Sequence, residues 1–386
     1  MEDEGWRMEG GELKRKIRVA IIFGGRSGEH EVSLVSAKGI MEAIDKEKYD
    51  VLPLGITKEG QWIGGGDPMR ALQSGMVEGE SKPAALLGDP SQRALIRLEE
   101  QEQGLKAAHL AKVDVIFPVL HGPYGEDGTV QGLLELANLP YVGAGVLGSA
   151  LGMDKTLQKT VLRAHGLPVA DFVPILRKEW EQNPDAVINR ILETLGCPCF
   201  VKPANLGSSV GITKAHHPEE LPAALNEAAR YDRRLLVEEA IDAREIEVSV
   251  LGNDDPIASV PGEIIPCNEF YDYEAKYIAD DSELLIPAPI PDELTRRIQE
   301  MAVQAYKAID CAGMARVDLF LERGTRKIYV NELNTIPGFT PISMYPKLWE
   351  ASGISYTELI GRLIELALER HQDKSRSETS YAPDSS

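Results

Sequence analysis

Cysteines and long apolar runs are scarce in this chain. Four of its 386 residues are cysteine, and their positions, 197, 199, 267 and 311, are too scattered for a disulfide framework. The 197/199 pair lacks the spacing and the second pair of a zinc site. No apolar run approaches the roughly 18 residues that cross a membrane, and residues 1–16 are charged and glycine-rich rather than a signal peptide. We therefore expect a reduced, cytoplasmic protein with no membrane segment.

Positive charge is also in short supply. The chain has 41 Lys and Arg residues against 61 Asp and Glu, a net charge of −20, which would repel nucleic-acid phosphates over most of the surface. A bound nucleotide would therefore need local lysines beside glycine-rich loops. The sequence has no G-x-x-x-x-G-K-[ST] motif, which excludes a P-loop site. Its 43% hydrophobic and 26% charged content is typical of a soluble globular protein.

The order of apolar segments predicts an α/β fold. Strands at 18–23 and 49–56 flank a helix at about 31–43, and a third strand at 113–119 follows an insertion at 58–112 that we expect to contain a hairpin. Strand–helix–strand order implies parallel pairing in a doubly wound sheet. Further along, predicted helices cover 149–164, 218–229, 292–309 and 356–369, and predicted strands cover 172–175, 199–203, 234–239, 245–251 and 257–265.

On this pattern the chain divides into five segments. Residues 1–16 are expected to be a flexible extension, and residues 371–386, rich in Ser, Asp and Glu, a disordered tail. Between them we predict an N-terminal domain at 17–144, a central unit at 145–239 and a C-terminal unit at 240–370. A chain of this length is large enough for each of these to have a core of its own.

The most informative segment is a predicted hairpin in the third unit. Two strands joined by a turn at 322–325 can bring Asp318 beside Glu332 and Asn334. Residues two apart point to one face of a strand, so these oxygen-bearing side chains form a hard site suited to magnesium with substrate phosphates. Arg316 shares the face of Asp318 and can neutralise a moving phosphoryl group. A solvated salt bridge on an ordinary hairpin is the alternative.

Two glycine-rich loops follow predicted strands of the first sheet. Residues 24–29 can offer backbone amides to an anion, although their spacing does not match G-x-G-x-x-G and a tight structural turn is the alternative. The carboxylate of Glu29 could hold the ammonium group of an amino acid. His121 opens the second loop, 121–128, at the carboxyl end of a strand, where ligands of open α/β sheets bind. We interpret His121 as functional rather than structural.

A third glycine-rich segment, 202–211, suits a polyphosphate. Its amides and serine hydroxyls can surround the phosphates while Lys202 meets their charge, and Lys155 offers a second lysine. A surface hairpin tip is the alternative for this segment. Glu238 and Glu245 flank the next strand junction and could contact the adenine amine and the ribose hydroxyls, whereas each taken alone is also explained as a solvated carboxylate.

Two further segments carry polar groups suited to a reaction. The tyrosine-rich stretch 270–282 suits a lid that closes over a reacting centre, and an amphipathic surface loop is its alternative. The Pro-Gly turn after Asn334 would present the Gly338 amide to a developing oxyanion. Ser343 follows on the same segment and could bind a substrate carboxylate.

Taken in order, these motifs resemble the D-alanine–D-alanine ligases of the ATP-grasp superfamily over residues 18–368. The resemblance is carried by GG-x-S-x-E-x-EVS at 24–33, HG-x-x-GEDG at 121–128, KP at 202–203, GSS-x-G at 207–211, YDY-x-x-KY at 271–277 and E-x-NT-x-PG at 332–338. It implies an N-terminal doubly wound parallel-sheet domain followed by a two-part ATP-grasp fold, α/β overall with an α+β C-terminal part.

The activity implied by this resemblance is ATP-dependent joining of two D-alanine molecules for peptidoglycan precursors, through a D-alanyl phosphate and with release of ADP and phosphate. ATP is implied to contact Lys155, Lys202, Ser209, Lys276, Glu238 and Glu245. Two magnesium ions, replaceable by manganese, are implied to bind Asp318, Glu332 and Asn334. The first D-alanine is implied to contact Glu29, Ser208, Tyr277 and His121, the oxyanion Arg316 and the Gly338 amide, and the second D-alanine Ser343 and Met344.

The sequence leaves alternatives to this activity. Tyr277 favours D-alanine over D-lactate as the second substrate, but a D-alanine–D-lactate or D-alanine–D-serine ligase is the nearest alternative. A nucleotide-binding regulatory protein without turnover is disfavoured because the metal ligands are complete, and a nicotinamide-dependent oxidoreductase because the glycine spacing is wrong. The resemblance also implies a homodimer formed through the first domain.

Overall fold

The computed structural model describes residues 15–75, 81–101, 104–207, 210–265 and 283–378, which form three sheets. The first contains β1 (Ile17–Gly24), β2 (Tyr49–Ile56), β3 (Trp62–Gly64), β4 (Lys82–Leu86), β5 (Ala94–Gln101), β6 (Gly104–Lys112) and β7 (Val115–Val119). Their order is β6–β5–β4–β3–β2–β1–β7. The helices of this part are α1 (His30–Ala43), α2 (Pro68–Ser74) and α3 (Thr129–Leu136).

Strand β1 lies at the centre of the parallel part of this sheet. It pairs in parallel with β2 and β7, and its alternate residues enter different cores, because successive side chains of a strand point to opposite faces. Val19 and Ile21 pack with α1, whereas Ala20 and Ile22 pack with α3. This confirms the predicted doubly wound parallel sheet. The 58–112 segment extends the sheet with antiparallel strands and contains the predicted hairpin, β5–β6.

The second sheet is built by the middle of the chain. It contains β8 (Phe172–Leu176), β9 (Cys199–Pro203), β10 (Thr213–Ala215) and β11 (Arg234–Glu239), in the antiparallel order β10–β9–β11–β8. Two helices lead into it, α4 (Val146–Met153) and α5 (Lys155–Ala164), and three accompany it, α6 (Arg177–Gln182), α7 (Pro184–Thr194) and α8 (Leu221–Tyr231). Apolar residues of α7 and α8 pack on β8, β9 and β11 to form its core.

The third sheet carries the predicted metal hairpin. Its strands are β12 (Ala243–Gly252), β13 (Ile257–Ala258), β14 (Gly262–Ile265), β15 (Glu283–Leu285), β16 (Gly313–Glu322) and β17 (Ile328–Asn334). Their order is β15–β14–β12–β16–β17, with β13 paired to β12. The helices are α9 (Asp292–Ala308), α10 (Met344–Ala351) and α11 (Tyr356–Lys374). Helix α11 packs in one core with β1 and α1, which joins this part to the first sheet.

The continuous helix predicted over 149–164 is wrong, because Asp154 divides it into α4 and α5. Asp154 has an extended backbone, and its carboxylate accepts a hydrogen bond from the Leu157 amide at 2.9 Å. It is therefore an N-cap, which satisfies a backbone donor that the first turn of a helix leaves without a partner. The break places Lys155 at the first position of α5.

Other boundaries also differ from the sequence pattern. The strand predicted at 257–265 is divided into β13 and β14. Five helices, α2, α3, α6, α7 and α10, were not expected from apolar spacing. Helix α11 continues to Lys374, so the prediction of a disordered tail is wrong for residues 371–374. Among the described residues, no helix combines the length and the apolar character needed to cross a bilayer.

Candidate active site

The predicted hairpin brings its polar residues together. Strands β16 and β17 are antiparallel, with Arg316 opposite Asn334 and Asp318 opposite Glu332. A β-bulge lies just beyond, because the next pair is Leu319 with Val330 and the intervening Asn331 has no opposite residue. An extra residue shifts the alternation of a strand by one. The bulge therefore lets Val330 face the core while Glu332 and Asn334 share the face of Asp318.

Arg316 is the centre of charge on this face. Its guanidinium makes two hydrogen bonds to Asp318, from Nε to Oδ1 and from Nη2 to Oδ2, both at 2.7 Å. Its Nε also lies 3.1 Å from Oε2 of Glu247. Glu247, opposite Asp318 on β12, is a site residue that sequence reasoning missed. The sequence could have indicated Glu247, because it lies two residues after Glu245 on a predicted strand and therefore shares its face. Asn334 completes the group by donating from Nδ2 to Asp318 Oδ2 at 3.0 Å.

Lysines approach the hairpin from the second sheet and α5. Lys155 Nζ lies 3.2 Å from Glu332 Oε2 and donates to the Leu206 carbonyl at 2.9 Å. It thus links the β16–β17 hairpin to the glycine-rich segment after β9. Lys155 can hold this position because it begins α5 directly after the Asp154 cap.

Lys202 belongs to a buried ion group. Its Nζ donates to Glu238 Oε2 at 2.6 Å, and Glu238 also forms an ion pair with Lys159, another residue that sequence reasoning missed. Burial would raise the pKa of Glu238, but the charges of Lys159 and Lys202 lower it to about 2. Burial opposes the charge of Lys202, yet Glu238, Glu332 and Glu245 together raise its pKa. Both oxygens of Glu238 are therefore committed to lysines.

His121 lies at the carboxyl end of β7, as predicted, and is buried. Its Nδ1 is 3.1 Å from the Ile336 carbonyl and 3.3 Å from Oε1 of Glu126. Burial lowers the pKa of His121, but Glu126, by its hydrogen bond and charge, and Glu29, by its charge, raise it more, so that the pKa lies above the usual value. Glu126 is a further residue that the sequence did not single out, although it lies five positions along the same loop.

Glu29 lies between two glycines from different loops. A Cβ built on Gly122 would be 2.9 Å from Glu29 Oε2, and one built on Gly207 would be 2.8 Å from the same oxygen. Backbone can approach the carboxylate this closely only because neither residue has a side chain. Glu29 is 9% exposed, so its carboxylate is held at the cavity by the packing of both loops.

We predict that Gly122→Ala raises the KM for the amino-acid substrate about tenfold, because the new Cβ must displace the Glu29 carboxylate. The matched control is Gly166→Ala. Gly122 and Gly166 share a φ of +77°, so both variants carry the same backbone strain, but a Cβ on Gly166 meets no atom within 4 Å. Steady-state kinetics would contradict the prediction if the two variants showed equal KM values.

The Pro-Gly turn after β17 is tied to α1 and to His121. Ser36 Oγ accepts a hydrogen bond from the Phe339 amide at 3.1 Å and lies 3.4 Å from His121 Nε2. The adjacent Gly338 lies close to Ser343, since a Cβ built on it would be 2.7 Å from the Ser343 Oγ. That hydroxyl accepts from the Thr340 amide at 3.0 Å. The turn is therefore fixed against the first sheet.

One cavity collects most of the predicted residues. Its lining includes Glu29, His121, Lys155, Arg316, Glu332, Asn334, Gly338, Ser343 and Met344, with Glu126 and Glu247 in addition. Asp318 contacts this lining through Arg316 and Asn334, whereas Lys202, Glu238 and Glu245 lie on the neighbouring strands β9, β11 and β12. Ser208, Ser209, Lys276, Tyr277 and the predicted lid at 270–282 lie outside the described residues.

Comparisons with known proteins account for this arrangement. The family model described as the D-ala D-ala ligase N-terminus matches residues 18–144, and that described as the D-ala D-ala ligase C-terminus matches residues 161–365. The chain belongs to the D-alanine–D-alanine ligase family. A D-alanine–D-alanine ligase of Natranaerobius thermophilus is 52% identical over 368 residues, covering 95% of this chain and 99% of the relative.

Solved structures of this ligase family share the fold. The D-alanine–D-alanine ligase of Coxiella burnetii superimposes with a TM-score of 0.80 at 40% identity, covering 94% of this chain and 96% of that one. VanG, a D-Ala:D-Ser ligase from Enterococcus faecalis, gives 0.81 at 38% identity, covering 92% and 100%. The fold is therefore that of the ATP-grasp ligases, as the sequence motifs implied.

The donor atoms of the β16–β17 hairpin suit the magnesium that the sequence resemblance implies. No group of three or more His, Cys, Asp or Glu suited to a metal occurs in the described part of the chain. Asp318, Glu332 and Asn334 instead offer two carboxylates and one amide oxygen. Oxygen donors in so small a number suit magnesium, which keeps waters and phosphate oxygens in its shell. In the structure, the Asp318 carboxylate pairs with Arg316 and the Glu332 carboxylate pairs with Lys155.

Proposed function

We propose that the protein joins two D-alanine molecules to D-alanyl-D-alanine with ATP, by way of a D-alanyl phosphate. One observation carries the proposal. A single cavity is lined by the Glu29 carboxylate, which suits an ammonium group, and by the cations Lys155 and Arg316 beside the Glu332 carboxylate, which suit a phosphate with its metal. Binding an amino acid and activating it with a nucleotide phosphate at one place requires this combination.

The phosphate end of the reaction is assigned to the lysines and the hairpin. Lys155 and Lys202 would bind phosphate oxygens, and Glu245 the ribose. Because both oxygens of Glu238 are engaged by lysines, we assign that residue to holding Lys202 rather than to the adenine amine. Magnesium bound by Asp318, Glu332 and Asn334 would offset charge on the β- and γ-phosphates.

The amino-acid end of the reaction is assigned to residues of the first sheet and the Pro-Gly turn. Glu29 would orient the ammonium group of the first D-alanine, and His121, which lines the same cavity, would lie near its carboxylate. After the second amine attacks the acyl phosphate, Arg316 and the Gly338 amide would stabilise the tetrahedral oxyanion. Ser343 and Met344, at the start of α10, would place the second D-alanine.

The test is ADP formation from magnesium-ATP with D-alanine, followed by identification of the product. L-alanine, D-lactate and D-serine serve as separate controls. We expect ADP release to require D-alanine and to yield the dipeptide. If ADP release required D-lactate or D-serine in addition to D-alanine, that compound would be the second substrate instead of D-alanine. ADP release without any ligated product would contradict ligation altogether.

Other sequence predictions stay predictions. These are the homodimer, the cytoplasmic location, the use of two metal ions and the preference for D-alanine that Tyr277 implies. We propose that D-alanine and ATP are the substrates of this site, since its polar groups match an amino acid and a polyphosphate. Magnesium-ATP should raise the melting temperature, whereas NAD should leave it unchanged.

A further inference from the structure

Strand β17, which carries two proposed metal ligands, is an edge strand of the third sheet. Its outer edge faces α5 instead of another strand. The Gln158 amide pairs with Leu333 as a strand would, because Oε1 accepts from the Leu333 amide at 3.1 Å and Nε2 donates to the Leu333 carbonyl at 3.3 Å. Lys159 Nζ donates to the carbonyl of the bulge residue Asn331 at 2.8 Å.

These contacts are made to residues next to the proposed metal ligands in the sequence. Glu332 lies between Asn331 and Leu333, and Asn334 follows Leu333, so every backbone contact from α5 is made within one residue of a ligand. Lys155, which meets the Glu332 side chain at 3.2 Å, lies on the same helical face as Gln158 and Lys159, because residues three and four apart are neighbours. One face of α5 therefore fixes both the backbone and a side chain of the metal strand.

Lys159 also reaches the phosphate side of the site. The same ammonium group pairs with Glu238, whose other oxygen accepts from Lys202 at 2.6 Å. Lys159 thus lies between the bulge of β17 in the third sheet and the carboxylate that orients Lys202 in the second sheet. It is 1% exposed and Gln158 is 0% exposed, so neither side chain belongs to the cavity lining.

Stability alone does not account for such groups. Replacing a buried ion pair by apolar side chains of similar size is often neutral or stabilising. We propose that Gln158 and Lys159 are positioning residues that hold the metal-bearing strand in register with Lys202, so that metal and nucleotide phosphates bind cooperatively. This inference rests on the proposed function, because it takes Glu332, Asn334 and Lys202 as ligands.

The experiment measures ADP affinity by calorimetry with and without magnesium, using the full chain. The ratio of the two dissociation constants is the metal enhancement. In Lys159→Met we expect that enhancement to fall about tenfold, with a lower kcat and an unchanged KM for D-alanine. Since both affinities come from one variant, a general loss of stability cancels in the ratio. Lys178→Met, at an exposed position of α6, is the control and should match the wild type.

The outcomes separate cleanly. A loss of enhancement of about threefold or more in Lys159→Met, absent from Lys178→Met, supports the inference. A smaller loss, or an equal loss in the control, overturns it. If Lys159→Met does not fold, Gln158→Met, which is nearly isosteric and uncharged, decides by the same criterion. A wild-type protein that shows no metal enhancement or makes no dipeptide would instead refute the proposed function, before any variant is made.

Discussion

Asp318→Asn is expected to lower kcat about a thousandfold, which corresponds to about 4 kcal/mol of lost transition-state stabilisation. The substitution keeps the shape of the side chain but removes the negative charge that would hold the metal. Arg316 still has Glu247 as an ion-pair partner at 3.1 Å, so the hairpin should keep its fold. Steady-state kinetics over a range of magnesium concentrations would show a raised metal requirement and little change in the KM for D-alanine.

The matched control for that variant is Glu322→Gln. Glu322 lies on the same strand, β16, and its carboxylate contacts only the Thr325 hydroxyl among the contacts described. It therefore tests the effect of a carboxylate-to-amide change on β16 away from the cavity. Activity of Asp318→Asn within tenfold of the wild type, or an equal loss in Glu322→Gln, would show that Asp318 does not hold the metal.

The local parts of this site were predictable from the sequence. Strands on both sides of the turn at 322–325 predict an antiparallel hairpin, and residues two apart on one strand share a face, which groups Arg316 with Asp318 and Glu332 with Asn334. The structure confirms the hairpin, and the bulge at Asn331 brings the two groups to the same face. His121 was predictable in the same way, since a polar residue in a glycine-rich loop at the end of a buried strand lies where parallel sheets bind ligands.

The bulge at Asn331 was not predictable by the same reasoning. Counting alternation back from Glu332 along an unbroken strand would turn Val330 to the polar face, yet the apolar pattern requires Val330 and Ile328 to be buried. Only an extra residue satisfies both requirements. The sequence shows that the apolar and the polar pattern of this strand conflict, but it does not show at which residue the bulge occurs. The contact made by the bulge residue, from its carbonyl to Lys159, spans 172 positions of the chain.

Long-range ion pairs were the other part that the sequence left open. Glu238 is one of many carboxylates in an acidic chain. Its position on a predicted strand does not show whether its side chain binds a ligand or forms an ion pair with a lysine. Its partner Lys159 lies on α5, within a segment whose apolar spacing predicts a single helix through Asp154. The pairing emerges only when α5 packs across two sheets, where burial makes a lone carboxylate or ammonium costly and so favours matched charges.

Arg316→Met is expected to combine a large loss of activity with a loss of stability. The Arg316 side chain is 18% exposed and pairs with Asp318 and Glu247, whose side chains are 14% and 6% exposed. Removing it leaves these like charges opposite each other across β16 and β12, which should lower the free energy of unfolding by about 3 kcal/mol. Loss of the proposed oxyanion contact should lower kcat by about a hundredfold to a thousandfold.

Arg244→Met separates the two effects. Arg244 lies on β12 and makes an equivalent pair with Glu263, at 2.7 Å from Nε and 2.6 Å from Nη2, with 24% and 8% of the two side chains exposed. We expect a comparable loss of stability in urea unfolding, because a two-point arginine–carboxylate contact is broken in the same sheet. Turnover should remain, because the pair is outside the cavity lining. If Arg244→Met lost as much activity as Arg316→Met, the loss would come from the weakened sheet and Arg316 would have no role at the reacting centre.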